Sequence, residues 1–283
     1  MSAPSLPEPV LALIRSAIAE DVGRGDLTAE YFVDDTAACK ARIVAREPGV
    51  MAGGAVAARV FEQTDPRLTI RIEKPEGAAF EKGDTLLRMM GPTRGVLTAE
   101  RTALNFLQRL CGVATMTRRY VEAVQPHDVK VLDTRKTTPG WRWLEKMAVR
   151  AGGGTNHRTG LFDQVMVKDN HLLADDKLEH LQQAIDRVKC AHPDVKVELE
   201  ADTLDQVARF LTLRGVDMIL LDNMTTMQLR EAVKLVNGRI FLEASGGITL
   251  DTIKEVAATG VNAISSGALT HSVRALDLSL ELE

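Results

Sequence analysis

Residues 195–222 read VKVELEADTLDQVARFLTLRGVDMILLD. Val195-Lys196-Val197-Glu198-Leu199 is a short apolar-rich run that reads as a strand. Leu204–Leu213 then repeats its apolar residues at helical period, and Met218-Ile219-Leu220-Leu221 is a second short apolar run. Strand, helix and strand in succession mean parallel strands joined by a helical crossover.

The same rhythm extends outward in both directions. Upstream lie the strands Val129–Leu132 and Gln164–Val167, with a helix over Leu178–Lys189. Downstream come a helix over Thr226–Val236, the strand Ile240–Glu243, a helix over Leu250–Thr259 and the strand Ala263–Ser265. What ends each apolar run is polar or glycine: Asp133, Lys168, Glu200, Asp222, Ser245 and Gly267. In a β/α barrel such ends converge on one mouth, whereas an open doubly wound sheet spreads them along an edge. A barrel is therefore expected, and with six strands visible it is an incomplete one. Glycines follow the last two strands, in Ser245-Gly246-Gly247 and Ser266-Gly267-Ala268. Backbone N–H groups at that place in a barrel suit a phosphate.

The first part of the chain has a different texture. Ser5 and Glu8 have capping-box spacing, and Val10, Leu11, Ile14 and Ile18 follow at helical period. Residues 41–46 and 68–72 alternate like half-buried strands around a helix over Gly54–Phe61. Lys82-Gly83-Asp84 turns into the strand Thr85–Met89. Helices over Thr98–Cys111 and Ala114–Val124 lead away. The expected division is an α+β domain over residues 1–112, with the tail 270–283 packing back on it, and a barrel over residues 113–269.

At 283 residues the chain has room for two cores. A formal net charge of -4 and 4% aromatic residues argue against a nucleic-acid surface. No run of about 20 apolar residues suggests a membrane span. The proline-rich start lacks a basic region and an apolar run, so no signal peptide is expected. Cys39, Cys111 and Cys190 are odd in number and far apart, which fits free thiols in the cytoplasm.

Between Asp133 and His171 the charge pattern departs from this mildly acidic background. Arg135, Lys136, His157, Arg158, Lys168 and His171 crowd together in glycine-spaced bursts. Such crowding costs Coulomb energy unless an anion sits among the cations. With the surrounding hydroxyls and glycine N–H groups, it reads as a pocket for a small polyanion. Glu200 and Asp222 end neighbouring strands. They read either as salt-bridge partners of Lys168 or Arg158 or as a Mg²⁺ site completed by water and phosphate. Glu198, on the same face as Glu200, competes for that role. His157 and His171 read as general acids or bases, or as hydrogen-bond donors only. His127, His180 and His192 read as surface residues, and Trp141 and Trp143 as loop packing.

Several segments resemble the quinolinate phosphoribosyltransferase family. They are Glu-Asp-x-Gly-x-Gly-Asp-Leu-Thr (20–28), Glu-Arg-Thr-Ala-Leu-Asn (100–105), Asp-Thr-Arg-Lys-Thr-Thr-Pro-Gly (133–140) and Leu-Glu-Lys (144–146). Further on come Gly-Gly-Gly-x-Asn-His-Arg-x-Gly-Leu (152–161), Lys-Asp-Asn-His (168–171), Leu-Asp-Asn-Met (221–224), Glu-Ala-Ser-Gly-Gly-Ile (243–248) and Gly-Ala-Leu-Thr-His-Ser (267–272). They run in order along essentially the whole chain. The stretch 197–202 is poorer in glutamate than is usual there.

The resemblance implies an N-terminal open-faced sandwich, a seven-stranded β/α barrel and a homodimer with shared active sites. It implies transfer of phosphoribose from phosphoribosyl pyrophosphate to quinolinate with decarboxylation, using Mg²⁺, in de novo NAD synthesis. By the same resemblance Thr134, Arg135, Lys136, His157, Arg158 and Lys168 meet substrate, and Arg101 enters from the partner subunit. Lys136 and Lys168 also meet the phosphoribosyl donor. Glu200 and Asp222 serve the metal and the ribose. Ser245, Gly246, Gly247, Ser266, Gly267, Ala268 and His271 line the phosphate end. A paralogous pyrophosphorylase acting on another base is the alternative. A Schiff-base aldolase using Lys168 and a non-catalytic nucleotide binder are the more distant readings.

Overall fold

The computed structural model describes residues 6–168 and 178–283. Ser5, Asp169, Asn170 and His171 lie outside the described residues. Two compact units emerge. One contains residues up to Arg118 with Thr138–Gly153 and Ser272–Glu283, and the other Arg119–Thr137 with Gly154–His271.

In chain order the first unit begins with α1 (Glu8–Val22), α2 (Leu27–Phe32), β1 (Ala38–Ala45), β2 (Gly49–Val50) and α3 (Gly54–Thr64). It continues through β3 (Thr69–Ile72), β4 (Ala79–Phe80) and β5 (Thr85–Pro92) to α4 (Thr93–Ala123). α1 starts at Glu8 after an extended N-cap, Pro7, and Pro9 in its first turn lacks an N–H that would have no partner there. Ile14, Ile43, Val56, Val60, Phe61, Leu86 and Leu87 are each fully buried and form its core. The C-terminal strand Leu278–Leu282 returns to this unit and pairs antiparallel with β1, Leu282 opposite Ala41. The sheet is four-stranded, with β5 on the far side of β1 and β3 at the outer edge.

Where two helices are expected from sequence, the structure has one, α4, 31 residues long. Gly112 does not break it. The Arg274 carbonyl oxygen occupies the place a Cβ would take, so glycine there permits a close approach of the returning tail. Residues 138–153 also cluster with this unit rather than with the barrel stretch expected from sequence. The Trp141 ring stacks on Phe106 of α4, centroids 4.7 Å apart at 16°. The fully buried Glu145 accepts from the Thr138 N–H at 3.0 Å, from its hydroxyl at 2.9 Å and from Arg109 at 3.2 Å. Those bonds explain the Leu-Glu-Lys segment as an anchor.

The second unit alternates strand and helix as the sequence pattern implies. After β6 (Lys130–Leu132) and the first-unit helix α5 (Arg142–Ala151) come β7 (Val165–Val167), α6 (Leu178–Ala191) and β8 (Val197–Ala201). Then follow α7 (Leu204–Phe210), β9 (Met218–Asp222), α8 (Thr226–Val236), β10 (Phe241–Ser245), α9 (Ile253–Ala257), β11 (Ala263–Ser265) and α10 (Ala268–His271). With the tail strand, β12 (Leu278–Leu282), the series is complete. The six strands are parallel in the order β7-β8-β9-β10-β11-β6. A seventh stave is a single bridge, Thr155 beside Leu132, too short to show as a strand in sequence. The result is an incomplete seven-stranded β/α barrel.

Capping boxes set two of the crossovers. The Thr203 and Thr225 hydroxyls accept from the N–H groups of Gln206 and Gln228, whose side chains reach back to the cap. The caps, Thr203 and Thr225, stand two and three residues past the ends of β8 (Ala201) and β9 (Asp222). The expected helix over Leu250–Thr259 is regular only over Ile253–Ala257, because Thr249 and Thr252 bond each other in a turn at its start. Among the described residues, no helix is long and apolar enough to cross a membrane.

Candidate active site

A cavity of about 260 Å³ lies at the C-terminal ends of the barrel strands. Thr134, Arg135 and Lys136 line it from the turn after β6, and His157 and Arg158 from the stretch after the Thr155 bridge. Lys168 lines it from the end of β7, Glu200 from β8, Asp222 from β9 and Ser245 from β10. The convergence follows from parallel registry. Glu200 and Glu243 both lie opposite Leu220, and Ser245 lies opposite Asp222, so these side chains share the inner face.

The turn after β6 is built from local bonds. The Lys136 N–H donates to the Thr134 hydroxyl at 3.0 Å, and the Thr137 N–H to the Arg135 carbonyl at 2.9 Å. Asp133 is fully buried and does not face the cavity. It accepts from the His157 N–H at 2.8 Å and from the Asn156 amide at 2.5 Å. In this way β6 holds the second cationic burst beside the first. Asp163 closes the following loop by accepting from the N–H groups of Thr159 and Gly160.

Five of the six cationic residues noted in sequence line this one cavity, and His171 is outside the described residues. The crowding has an electrostatic signature. Burial first, and then the charge of Arg135, hold the Arg158 guanidinium below its usual value. Lys168 is ion-paired with the nearly buried Glu200. Asp222 accepts from the Asn223 amide at 2.7 Å.

The glycine loops lie where the sequence puts them, outside the immediate lining. Gly246 has φ 97, and a Cβ there would strike Asn223, so only glycine fits. The Ser266 hydroxyl donates to the Ile248 carbonyl at 3.0 Å. Gly267 lies against Lys136 and His271, whose side chains come within 2.9 Å of where its Cβ would stand. The Thr270 hydroxyl donates to the Lys136 carbonyl at 2.7 Å, tying the two loops together. Ala268 opens α10 and His271 closes it, exposed. Arg101 is an exposed residue of α4, in the first unit, and does not line the cavity.

Two inward residues escaped the sequence reading, Ser265 and Glu243, which line the cavity; Glu198, weighed there against Glu200 for the metal, is fully enclosed beside it. Strand alternation was the available signal: Glu198 shares a face with Glu200, and Glu243 with Ser245. His157 Nε2 lies 3.3 Å from Glu198 and 3.2 Å from Glu243. Its Nδ1 accepts the Arg158 N–H at 2.7 Å. Burial disfavours a charged ring, but the pull of both carboxylates outweighs it and raises the His157 pKa to about 10. Burial likewise raises Glu198. The Arg158 N–H lies on the Nδ1 side of the ring, which leaves Nε2 facing the two carboxylates.

Comparison with known proteins agrees with this architecture. The sequence pattern described as quinolinate phosphoribosyl transferase, C-terminal domain, matches residues 113–281, and its N-terminal counterpart matches residues 26–111. The chain is 42% identical to the probable nicotinate-nucleotide pyrophosphorylase [carboxylating] of Bacillus subtilis, covering 95% of this chain and 92% of that one. It is 41% identical to the chloroplastic nicotinate-nucleotide pyrophosphorylase [carboxylating] of Oryza sativa subsp. japonica, covering 96% of this chain and 77% of the relative. Among solved structures it is similar to the nicotinate-nucleotide pyrophosphorylase of Francisella tularensis, with TM-score 0.92 and 36% identity. That match covers 99% of this chain and 98% of the other.

Proposed function

The chain belongs to the quinolinate phosphoribosyltransferase family, and from that premise we propose how its own residues handle the two substrates. It transfers phosphoribose from phosphoribosyl pyrophosphate to quinolinate with loss of CO₂, giving nicotinate mononucleotide in NAD biosynthesis. The observation that carries the assignment of residues is the cationic cavity at the barrel mouth. Arg135 and Arg158 are close enough to repel, and a dicarboxylate between them relieves that repulsion.

In this reading Thr134, Arg135, His157 and Arg158 hold the quinolinate carboxylates. Arginine suits the task because its fork meets a carboxylate through two bonds. Lys136 and Lys168 stand between the two substrates. Lys168 exchanges Glu200 for substrate anion when the site fills. Ser245, Gly246, Gly247, Ser266, Gly267, Ala268 and His271 hold the 5-phosphate end through hydroxyl and backbone donors.

Glu200 and Asp222 suit Mg²⁺: hard oxygens on adjacent strands, with the remaining ligands from pyrophosphate and water. When bound, the ion neutralises charge that builds on the departing pyrophosphate. The chain's cations do the same from the other side. Loss of pyrophosphate leaves an oxocarbenium-like sugar, which the pyridine nitrogen captures. The resulting pyridinium takes up the electron pair of the bond to the adjacent carboxylate, and CO₂ departs. The ylide left at that ring carbon takes a proton from solvent to give nicotinate mononucleotide. No side chain needs to form a covalent bond.

We also infer a homodimer in which Arg101 enters the partner's cavity. Arg101 is exposed, and the side chains of Tyr31 and Phe32 stand 74% and 86% exposed, which favours a covering surface. A cytoplasmic setting suits its three cysteines, read as free thiols. The test is incubation with phosphoribosyl pyrophosphate, Mg²⁺ and either quinolinate or nicotinate. CO₂ and mononucleotide are expected from quinolinate alone. Comparable turnover of nicotinate would favour a paralogous pyrophosphorylase and sink the assignment of the cation cluster.

A further inference from the structure

Barrel interiors are ordinarily filled with branched apolar side chains. Here the interior holds Glu198 and Glu243, both fully buried, with the His157 imidazole reaching both. Burying two carboxylates is costly unless particular partners take them. Nothing in the strand pairing calls for acids at these positions. Glu200 and Asp222, on the mouth side, are the acids that suit the metal, which leaves Glu198 and Glu243 to the His157 ring.

Their contacts converge on one atom. His157 Nε2 is 3.3 Å from Oε2 of Glu198 and 3.2 Å from Oε2 of Glu243. The Gln164 amide donates to the same Glu198 oxygen at 2.8 Å, fixing that carboxylate from behind. On the other side of the ring, Nδ1 accepts the Arg158 N–H at 2.7 Å. With the Arg158 N–H on the Nδ1 side, Nε2 carries a hydrogen whether the ring is neutral or protonated. Nε2 then has no lone pair for a metal ion, although three potential ligand atoms lie within 4.8 Å of one another. The cluster is an ion-pair clamp: Nε2 sits within 3.3 Å of both carboxylates, though neither pair has hydrogen-bond geometry. It holds a ring that lines the mouth cavity, next to Arg158 in sequence.

We propose that Glu243 and Glu198 are positioning residues for quinolinate: they fix the His157 ring, and with it the spacing of the cationic groups that receive the two carboxylates. The proposal deepens the assignment of the mouth cavity and rests on it. Clamping matters because a ring with two free torsions would lose its orientation when the site fills. The clamp acts on quinolinate rather than on the phosphoribosyl donor, whose proposed contacts come from other loops.

Three variants separate position from charge. Glu243→Gln keeps an acceptor at the same reach without the charge. Glu243→Asp keeps the charge but falls short of Nε2, and Glu243→Ala loses both. Calorimetric Kd for quinolinate alone, KM for both substrates and Tm are measured for each. Asp and Ala variants are expected to bind quinolinate about tenfold or more weakly, with Gln within about threefold of wild type and donor KM within about twofold throughout. Should the Ala variant fail to fold, the contrast of Gln with Asp still decides.

An Asp variant that behaves as wild type, or equal weakening toward both substrates, overturns the clamp. So does a metal ion held at one per chain after chelation and lost in Glu243→Gln. Arg135→Ala serves as the reference. If it leaves quinolinate affinity unchanged, the mouth assignment itself fails. If it weakens binding while every Glu243 variant is silent, only the clamp fails.

Discussion

Replacing Gly267 with alanine tests whether the packing seen at the mouth controls catalysis. A Cβ at Gly267 would stand 2.8 Å from two atoms of the His271 ring and 2.9 Å from Cδ of Lys136. Ordinary contacts begin near 3.4 Å, so each neighbour must yield by roughly half an ångström. The backbone of Lys136 cannot retreat freely, because its carbonyl is held by the Thr270 hydroxyl at 2.7 Å. The two side chains therefore move instead. Both are exposed, so their displacement costs little stability: under about 1 kcal/mol, or a Tm shift of a few degrees at most.

Catalysis is less tolerant. A misplacement of about 1 Å can cost about 10²-fold, so half of that should cost about tenfold in kcat, near 1.4 kcal/mol of barrel-mouth transition-state stabilisation. Steady-state kinetics with quinolinate, alongside thermal melting, gives both quantities. Turnover within twofold of wild type would refute the inference that Lys136 and His271 must stay where they are. A Tm loss of ten degrees or more would show that the effect is global.

The metal site, the buried cluster and the shared site make three further predictions. Glu200→Gln and Asp222→Asn should weaken Mg²⁺-dependent turnover more than quinolinate binding, and activity retained in chelator would contradict the metal assignment. The folded pKa of His157, about 10, is above its ordinary 6.5. Its cluster therefore contributes stability in full below about 6.5 and loses it as pH rises through about 10. The Tm gap between wild type and His157→Gln should accordingly shrink between pH 8 and pH 10.5, and a constant gap would show that no proton is held there. Arg101→Ala and Lys136→Ala, unfolded and refolded together, should recover about a quarter of wild-type activity if Arg101 acts across the dimer. No recovery, with mixed dimers demonstrated, would place Arg101 in its own chain's function.

The barrel was legible because a parallel strand buried on both faces reads as an apolar run. Its last residue, released to the mouth, reads as a break to polar. Lys168, Glu200, Asp222 and Ser245 were all found in this way. The Thr155 stave was invisible, since one bridged residue has no periodicity. α4 was divided at Gly112 because the reason for that glycine, the Arg274 carbonyl, lies 162 residues away in the chain. Trp141 and Glu145 joined the first unit through Phe106 and Arg109, partners that local pattern cannot reveal. Glu198 and Glu243 were overlooked as a pair for the same reason. Each looked like one more acid on a strand until the fold brought both to His157.

The account centres on transfer to the ring nitrogen followed by loss of the neighbouring carboxylate. Quinolinate labelled in its 2-carboxylate, compared with quinolinate labelled in its 3-carboxylate, tests that order directly. With phosphoribosyl pyrophosphate and Mg²⁺ present, one labelled CO₂ per mononucleotide is expected from the first and none from the second. Without the phosphoribosyl donor, neither should release label. Release from the 3-carboxylate, release without the donor, or mononucleotide that keeps its 2-carboxylate would contradict the account.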